Sequence, residues 1–221
     1  MKLNCTFITP YREKANFDKF KTRLEKTFKD IQVIGIEGTK DSSFFKVWRE
    51  ALPLVTKKYV CLTHDDTEYI GLPDLDKYFT PGVGMIGTAG TTILHKDQPW
   101  WFSEERYLGH ILSGQIWNNE EDKKVSRSIF GDFGEVVALD GVCMITTKKI
   151  LEDVGIPIKD YGTFDFYDEI LSLEYLKKGY KILTVPIVMI HGSKGGNKRD
   201  SFYNSLDKFK DEYLENKTWR V

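Results

Sequence analysis

Three acidic side chains follow a short apolar run, and together they have the chemistry of a cation site. Asp65, Asp66 and Glu68 come directly after the strand predicted at residues 59–62. Hard divalent cations prefer carboxylate oxygens and bridge readily to phosphate. Residues two apart in an extended segment point the same way, so Asp66 and Glu68 are predicted metal ligands. The alternative is a solvated acidic turn; the place of this turn, at the carboxyl end of a sheet strand, favours the site.

A histidine and a basic, glycine-rich segment occur together further along the chain. His191 ends the apolar run 181–190 and is followed by residues 192–199, GSKGGNKR. Imidazole is a good ligand for Mn²⁺-like ions. Backbone N–H groups and side chains such as Lys194 could contact a diphosphate. The plainer interpretations, a hydrogen-bonded structural histidine and a flexible surface loop, stay open.

The second half of the chain offers a candidate base and candidate substrate contacts. Asp168 lies at the start of a predicted helix, where a carboxylate stays ionised and can act as a general base. Acidic residues are also common there without any catalytic role. Asp140-Gly141 could hold a substrate hydroxyl or simply turn between strands. Trp100-Trp101 could form a stacking wall for a sugar, although such residues more often pack internally.

One glycine motif is misleading. Gly82, Gly84 and Gly87 fit the G-x-G-x-x-G pattern of dinucleotide-binding proteins. That pattern needs a strand before it and a helix opening at it. Here Pro81 precedes the motif and no helical sequence follows, so we expect a turn entering a strand that is closely approached by other backbone.

The elements that must position these residues form a regular first half and a mixed second half. Strands at 3–8, 31–36 and 59–62 alternate with two helical patterns, which predicts parallel strands with right-handed crossovers. The second half is predicted to contain the following elements: strand 83–87, a mobile loop at 118–134, a β-prone stretch at 135–146, helix 166–178, an apolar β stretch at 181–190 interrupted by Pro186, and helix 201–215. With no clean linker, residues 1–221 are predicted to form one α/β domain.

Composition excludes several classes of protein. The chain has 221 residues, 41% of them hydrophobic and 29% charged, with a net charge of −1, so neither disorder nor a strong pull toward nucleic acid is expected. The three cysteines have no metal-ligand spacing and are expected to be buried, reduced thiols. With no signal-like start and no apolar run of membrane-spanning length, a cytoplasmic location is expected.

The order of these pieces resembles the family-2-like GT-A glycosyltransferases, in particular the branch typified by a streptomycin-biosynthesis glycosyltransferase. The matching segments are spread over about residues 3–197. They are Thr9-Pro10 after the first strand, Gly35 to Gly38, LTHDDTE (62–68), VGMIGTAGT (83–91), Trp100-Trp101, EVVALDGVCMI (135–145), FDFYDEILSLEYLKKGYK (164–181) and VPIVMIHGSKGG (185–196). The chain departs from the branch at Asp165, where the branch often has His, and at Trp48, where it often has Asn.

The resemblance implies an open, mostly parallel GT-A-type sheet flanked by helices and mixed in its C-terminal half. It divides the domain into a nucleotide-binding half (1–95), an acceptor and catalytic half (96–200) and a C-terminal helix (201–221). It makes Asp168 the expected catalytic base and implies a Mn²⁺ or Mg²⁺ site at Asp66, with Asp65 and Glu68 as neighbours. It makes His191 a ligand of the metal or of the diphosphate. The residues expected to hold the nucleotide diphosphate sugar are Thr9, Tyr11, Glu37, Asp41, Asp65 and Lys194, and those expected to meet substrate are Trp100, Trp101, Asp140 and Gly141.

The expected function is therefore metal-dependent transfer of a sugar from a nucleotide diphosphate sugar to an acceptor hydroxyl, with inversion. The acceptor stays open among glycans, proteins, small molecules and modified nucleic acid. One alternative is a non-catalytic module that binds nucleotide sugars. Another is a nucleotidyltransferase, which usually needs a glycine-rich basic loop after the first strand; here that strand is followed by Thr9-Pro10-Tyr11-Arg12-Glu13, without glycine.

Overall fold

The first third of the chain forms the predicted β-α-β-α-β unit. A computed structural model describes residues 2–39, 42–97, 107–114, 125–129, 132–159, 164–192, 200–215 and 217–221. Its first elements are β1 (Cys5–Tyr11), α1 (Lys14–Thr27), β2 (Gln32–Glu37), α2 (Phe44–Ala51) and β3 (Tyr59–Thr63). Strand β1 pairs in parallel with both β2 and β3, as the alternating pattern predicted. The carboxyl ends of these three strands therefore meet at one edge of the sheet.

The second half contributes many short strands and three helices. The strands are β4 (Thr67–Gly71), β5 (Val83–Gly87), β6 (Ala89–Thr91), β7 (Ile93–Leu94), β8 (Tyr107–Gly114), β9 (Val125–Ile129), β10 (Glu135–Val136), β11 (Ala138–Leu139), β12 (Cys143–Thr147), β13 (Lys181–Thr184), β14 (Val188–His191) and β15 (Trp219–Arg220). The helices are α3 (Lys148–Val154), α4 (Tyr167–Lys177) and α5 (Asp200–Phe209), the last continuing as a π-helical segment, Lys210–Leu214.

The large sheet is mixed but mostly oriented one way. Its order is β10-β13-β5-β12-β3-β1-β2. Strand β12 is antiparallel to both β3 and β5, and β10 is antiparallel to β13, so five of the seven strands share one direction. This confirms the predicted sheet, parallel at the front of the chain and mixed behind.

A second sheet brings strand β14 back to the site. Its order is β11-β6-β8-β14-β4, with β9 pairing to β8. Strands β14 and β4 are antiparallel, and His191 pairs with Thr67. This register sets the end of β14 beside the turn that follows β3.

Buried apolar residues lie on both faces of the large sheet. Alternate residues of each strand point to opposite faces, so Ile8 and Leu62 join one cluster while Phe7 and Cys61 join the other. Helix α1 covers the second face with Phe17, Phe20 and Leu24. Helices α2 and α4 cover the first face. All three cysteines are buried and free, as expected.

Some sequence predictions need correction. The loop predicted at 118–134 contains strand β9, whose backbone pairs with β8 in spite of its polar composition. The apolar run 181–190 is divided around Pro186, as predicted, but its two parts, β13 and β14, belong to different sheets. The glycine motif is not a cofactor loop: a Cβ on Gly84 would lie 2.6 Å from Tyr180, and one on Gly87 would lie 2.6 Å from the Cys143 carbonyl oxygen. Within the described residues, no helix is both long enough and apolar enough to cross a membrane.

Candidate functional site

The turn between β3 and β4 carries the central residues of the site. Strand β3 is buried throughout and ends at Thr63. The Thr67 hydroxyl donates to the His64 carbonyl oxygen at 2.8 Å, and Gly192 N–H donates to the Asp66 carbonyl oxygen at 2.7 Å. These bonds hold the turn against the end of β14. The chain thus leaves the large sheet at its carboxyl edge and turns directly into the second sheet.

Two histidines and one aspartate converge at this turn. The His191 Nε2 atom lies 3.4 Å from Asp66 Oδ1 and 3.4 Å from His64 Nδ1. His64 Nδ1 lies 3.8 Å from Asp66 Oδ1. One ligand atom from each residue can be chosen so that all lie within 4.8 Å of one another. This is the spacing of donors around a single metal ion.

The charges and the unpaired atoms of this cluster suit a cation. Burial, reinforced by His191, lowers the pKa of His64 to about 4, so its imidazole is neutral at neutral pH. Burial alone would raise the pKa of Asp66, but contact with His191 outweighs it and the pKa lies below its usual value. Asp66 Oδ1 is buried and has no hydrogen-bond partner among the described residues. Such an atom is costly unless something pairs with it, and a cation with mixed N and O preference fits this donor set.

A cavity of about 360 Å³ opens beside the cluster. It lies where β1, β2 and β3 end, and Tyr11, Asp65 and Asp66 line it together with the start of α2 at Ser43 and Phe44. Burial and the neighbouring Asp66 raise the pKa of Asp65 to about 6. Two carboxylates therefore face one cavity at the carboxyl edge of the sheet, which is where ligands bind in open α/β sheets.

Asp168 lies in the first turn of α4, directly after Tyr167, whose hydroxyl oxygen contacts His64 Nε2; Asp168 is not among the residues that line the cavity. Its side chain is buried, and Oδ2 accepts a hydrogen bond from Gly141 N–H at 2.8 Å. Asp140 follows β11, and its Oδ1 accepts from Val142 N–H at 3.0 Å. Burial and the adjacent Asp168 raise the pKa of Asp140 to about 6. Burial would lower the pKa of His191, but Asp66 and Asp140 raise it. Electrostatic effects on pKa therefore link Asp66 to His191, His191 to Asp140, and Asp140 to Asp168.

The structure places the other predicted nucleotide and substrate residues as follows. Thr9 is buried, and its hydroxyl donates to the Pro10 carbonyl oxygen at 3.1 Å. Glu37 ends β2 and is exposed, beside Tyr11 in the strand register but outside the cavity lining. Gly141 contacts Asp168 and Tyr167. Asp41, Trp100, Trp101 and Lys194 lie outside the described residues.

Glu68 is the predicted metal ligand that the structure does not bring to the cluster. Its Oε2 atom lies 3.9 Å from Arg23 Nε on α1, because Glu68 stands on β4 beyond the turn. His64 takes the third place instead, and sequence reasoning missed it. The signal was available: His64 and Asp66 are two residues apart at the same strand end, the spacing that was credited to Asp66 and Glu68.

Trp48 and Asp165, the two departures from the family pattern, differ in their structural setting. Trp48 is fully buried on α2 and packs edge-on against Phe44, with ring centroids 5.6 Å apart. It is a core residue and does not line the cavity. Asp165 lies two residues before the start of α4 and three before Asp168.

The sequence matches a known protein family, and the fold matches solved structures. Residues 26–192 match the profile of the family described as glycosyltransferase like. No curated protein matches the sequence. Among solved structures, GalNAc-T7 with UDP, GalNAc and Mn²⁺ is 8% identical with a TM-score of 0.66; the match covers 97% of this chain and 48% of that one. This chain therefore spans about half the length of that protein.

Two further structures cover most of the chain. Mannosyltransferase PcManGT from Pyrobaculum calidifontis, in complex with GDP-Man and Mn²⁺, is 13% identical with a TM-score of 0.51, covering 94% of this chain and 69% of that one. A197 from STIV is 11% identical with a TM-score of 0.51, covering 90% and 98%. At these identities the likeness shows the fold, which is of the GT-A type. With three quarters of its length matched by the family profile, the chain belongs to the glycosyltransferase-like family.

Proposed function

We propose that this protein is a metal-dependent glycosyltransferase that moves a sugar from a nucleotide diphosphate sugar to an acceptor hydroxyl. The observation that carries the proposal is the cluster of His64, Asp66 and His191, of which His64 and Asp66 line a cavity. Asp168 follows Tyr167, whose hydroxyl contacts His64. Family membership supports the transfer of a sugar. Two proteins of the same fold are recorded with Mn²⁺ and a nucleotide or nucleotide sugar, which supports the choice of ligands.

The proposed metal ligands are His64, Asp66 and His191. Two imidazoles and one carboxylate favour Mn²⁺ over Mg²⁺, because Mg²⁺ prefers oxygen ligands alone. When bound, the ion would neutralise charge on the departing diphosphate. Asp65 and Tyr11 line the cavity proposed to hold the nucleotide. Thr9, Glu37, Asp41 and Lys194 stay sequence-based proposals for the same ligand.

Asp168 is the proposed general base. Gly141 N–H holds one carboxylate oxygen, which fixes the orientation of the carboxylate. An acceptor hydroxyl would transfer its proton to Asp168 while its oxygen forms a bond to the anomeric carbon. The bond from that carbon to the phosphate oxygen breaks, and the nucleoside diphosphate leaves. Direct displacement of this kind inverts the anomeric centre. Asp140 and Trp100-Trp101 remain proposed contacts of the substrate.

The substitution Asp168→Asn tests the role of the base. Removing a general base is expected to slow turnover by roughly 10²–10⁴-fold while donor binding is kept. The assay measures nucleoside diphosphate released from a panel of UDP-sugars and GDP-sugars with MnCl₂, and thermal stabilisation reports donor binding separately. Asp207→Asn is the matched control, because Asp207 is exposed on α5, away from the cavity. An unchanged rate in Asp168→Asn would remove Asp168 from the mechanism.

A non-catalytic module that binds nucleotide sugars is the rival to be separated by the same assay. It predicts stabilisation by donor and Mn²⁺ with no release of nucleoside diphosphate from any donor. The buried position of Trp48 weakens one ground for this rival, because the departure from the family pattern there lies in the core. The streptomycin-biosynthesis branch and a cytoplasmic location stay predictions from the sequence.

A further inference from the structure

Tyr167 connects helix α4 to the turn after β3, which carries the proposed metal ligands His64 and Asp66. It is the first residue of α4, and its side chain is 7% exposed. The Tyr167 hydroxyl oxygen lies 2.5 Å from His64 Nε2, a short hydrogen bond between residues 103 positions apart. Nothing in the proposed reaction requires a phenol at this place, so the contact calls for a separate explanation.

The Tyr167 ring is fixed from several sides. It stacks on Phe44 with centroids 4.0 Å apart and an interplanar angle of 5°, and Trp48 meets it edge-on at 5.6 Å. Gly141 lies against the hydroxyl: a Cβ there would come within 2.2 Å of that oxygen. The hydroxyl therefore has one well-defined position, and His64 Nε2 faces it.

The two nitrogens of His64 have different surroundings. Nε2 faces Tyr167, whereas Nδ1 faces His191 and Asp66. A neutral imidazole carries one proton, and only the nitrogen without it can bind a cation. For Nδ1 to be that nitrogen, the proton must stay on Nε2 and be donated to an acceptor. The Tyr167 oxygen is positioned to accept it.

We propose that Tyr167 is a positioning residue that holds His64 in the Nε2–H tautomer, with Nδ1 turned toward the cation. The proposal rests on the metal site assigned under the proposed function. Metal-binding histidines commonly donate their second N–H to a carboxylate, a backbone carbonyl or water, and losing that partner weakens metal binding by roughly 10–100-fold. Here a phenol takes that place.

The role has a consequence for the layout of the site. Tyr167 and Asp168 are consecutive residues in the first turn of α4, and Gly141 contacts both. The residue that orients a metal ligand and the proposed base are thus carried by the same helix turn. A shift of that turn would move both groups together.

The test compares Tyr167→Phe with a matched loss of a hydroxyl elsewhere on α4. Tyr175→Phe is the control, because Tyr175 is also buried and its hydroxyl donates to Thr146 Oγ1 at 3.0 Å, within the core. Binding of MnCl₂ alone to the full chain is followed by the electron paramagnetic resonance signal of free Mn²⁺. We expect affinity to fall roughly 10–100-fold in Tyr167→Phe and to stay unchanged in Tyr175→Phe.

A second measurement reads the tautomer without metal. In the wild-type chain, ¹H–¹⁵N correlation spectra of ¹⁵N-labelled histidine rings should show His64 as the Nε2–H tautomer, and Tyr167→Phe should shift it toward a mixture. An Nδ1–H tautomer in the wild type overturns the proposal, even if the variant fails to fold. Equal Mn²⁺ affinity in wild type and Tyr167→Phe overturns it while leaving the metal site intact. A wild-type chain that binds no Mn²⁺ overturns the metal site as well.

Discussion

Gly141 contacts two side chains of the candidate site. Its N–H holds Asp168, and its Cα lies against the Tyr167 hydroxyl that contacts His64. No other residue type leaves room for that hydroxyl. The sequence is compatible with two interpretations of Asp140-Gly141, a substrate contact or a turn between strands. The turn does occur between β11 and β12, and the contacts of Gly141 are with the site's own side chains.

The substitution Gly141→Ala should damage this arrangement. The new Cβ would come within 2.2 Å of a hydroxyl whose ring is stacked on Phe44 and cannot easily move. We expect the free energy of unfolding to fall by about 1–3 kcal/mol, the usual cost of overpacking, as measured by urea denaturation. Gly71→Ala is the control, because a Cβ there meets nothing within 4 Å. Equal losses in the two variants would contradict the proposed tightness at Gly141.

Single residues were predictable where their own segment determined their place. Asp66 and His191 were chosen for their positions at strand ends, and the structure brings them together. Glu68 was predicted from the same strand end and from its spacing to Asp66, but β4 begins at Thr67 and carries Glu68 toward Arg23. Which carboxylate faces the cavity depends on where the turn ends and β4 begins. The spacing of the residues does not reveal that boundary.

Helix α4 carries both Tyr167 and the proposed base, Asp168. It runs from Tyr167 to Lys177, and most of its residues are buried, so few of its side chains face solvent. Glu169 on this helix is fully buried, and neither carboxylate oxygen has a hydrogen-bond partner among the described residues. Burial, with Asp168 nearby, raises the pKa of Glu169 well above its usual value. Glu169 is therefore expected to be protonated and neutral inside the helix.

The isosteric change Glu169→Gln tests this state of the helix. The folded protein keeps a proton that the unfolded chain releases above about pH 4.5, so this glutamate makes the protein less stable as pH rises. Glutamine carries no such proton. Urea denaturation should therefore show the variant gaining stability relative to the wild type between pH 5 and pH 8. A wild type that gains on the variant with rising pH would show that Glu169 is charged.

Whole elements were predictable where local patterns agreed with the final packing. The helix at 166–178 was expected from its sequence and its stop at Gly179, which has a φ of 82°. The break at Pro186 in the run 181–190 was predictable, but an apolar sequence does not reveal that its two parts, β13 and β14, join different sheets. Strand β9 was missed because its polar residues, Ser126, Arg127 and Ser128, look like a loop until β8 is there to pair with.

At the scale of the whole molecule, the site exists because two sheets meet. The large sheet provides the carboxyl ends of β1, β2 and β3, and the second sheet returns His191 to the turn after β3. The β-α-β-α-β pattern predicted the first of these from local sequence. The second depends on β4, β6, β8 and β14 pairing across long stretches of chain. Such pairings leave little trace in any one segment, so the contact between Asp66 and His191 could not be derived from local sequence alone.

The most direct measurement of the central claim is calorimetric binding of UDP and GDP with and without MnCl₂. If His64, Asp66 and His191 hold a cation that grips a diphosphate, at least one nucleotide should bind tightly only when Mn²⁺ is present. The substitution Asp66→Asn should abolish that dependence, because it removes the charged oxygen at the centre of the cluster. The account is contradicted if every nucleotide that binds does so equally strongly without Mn²⁺. It is also contradicted if Asp66→Asn leaves the Mn²⁺-dependent binding unchanged.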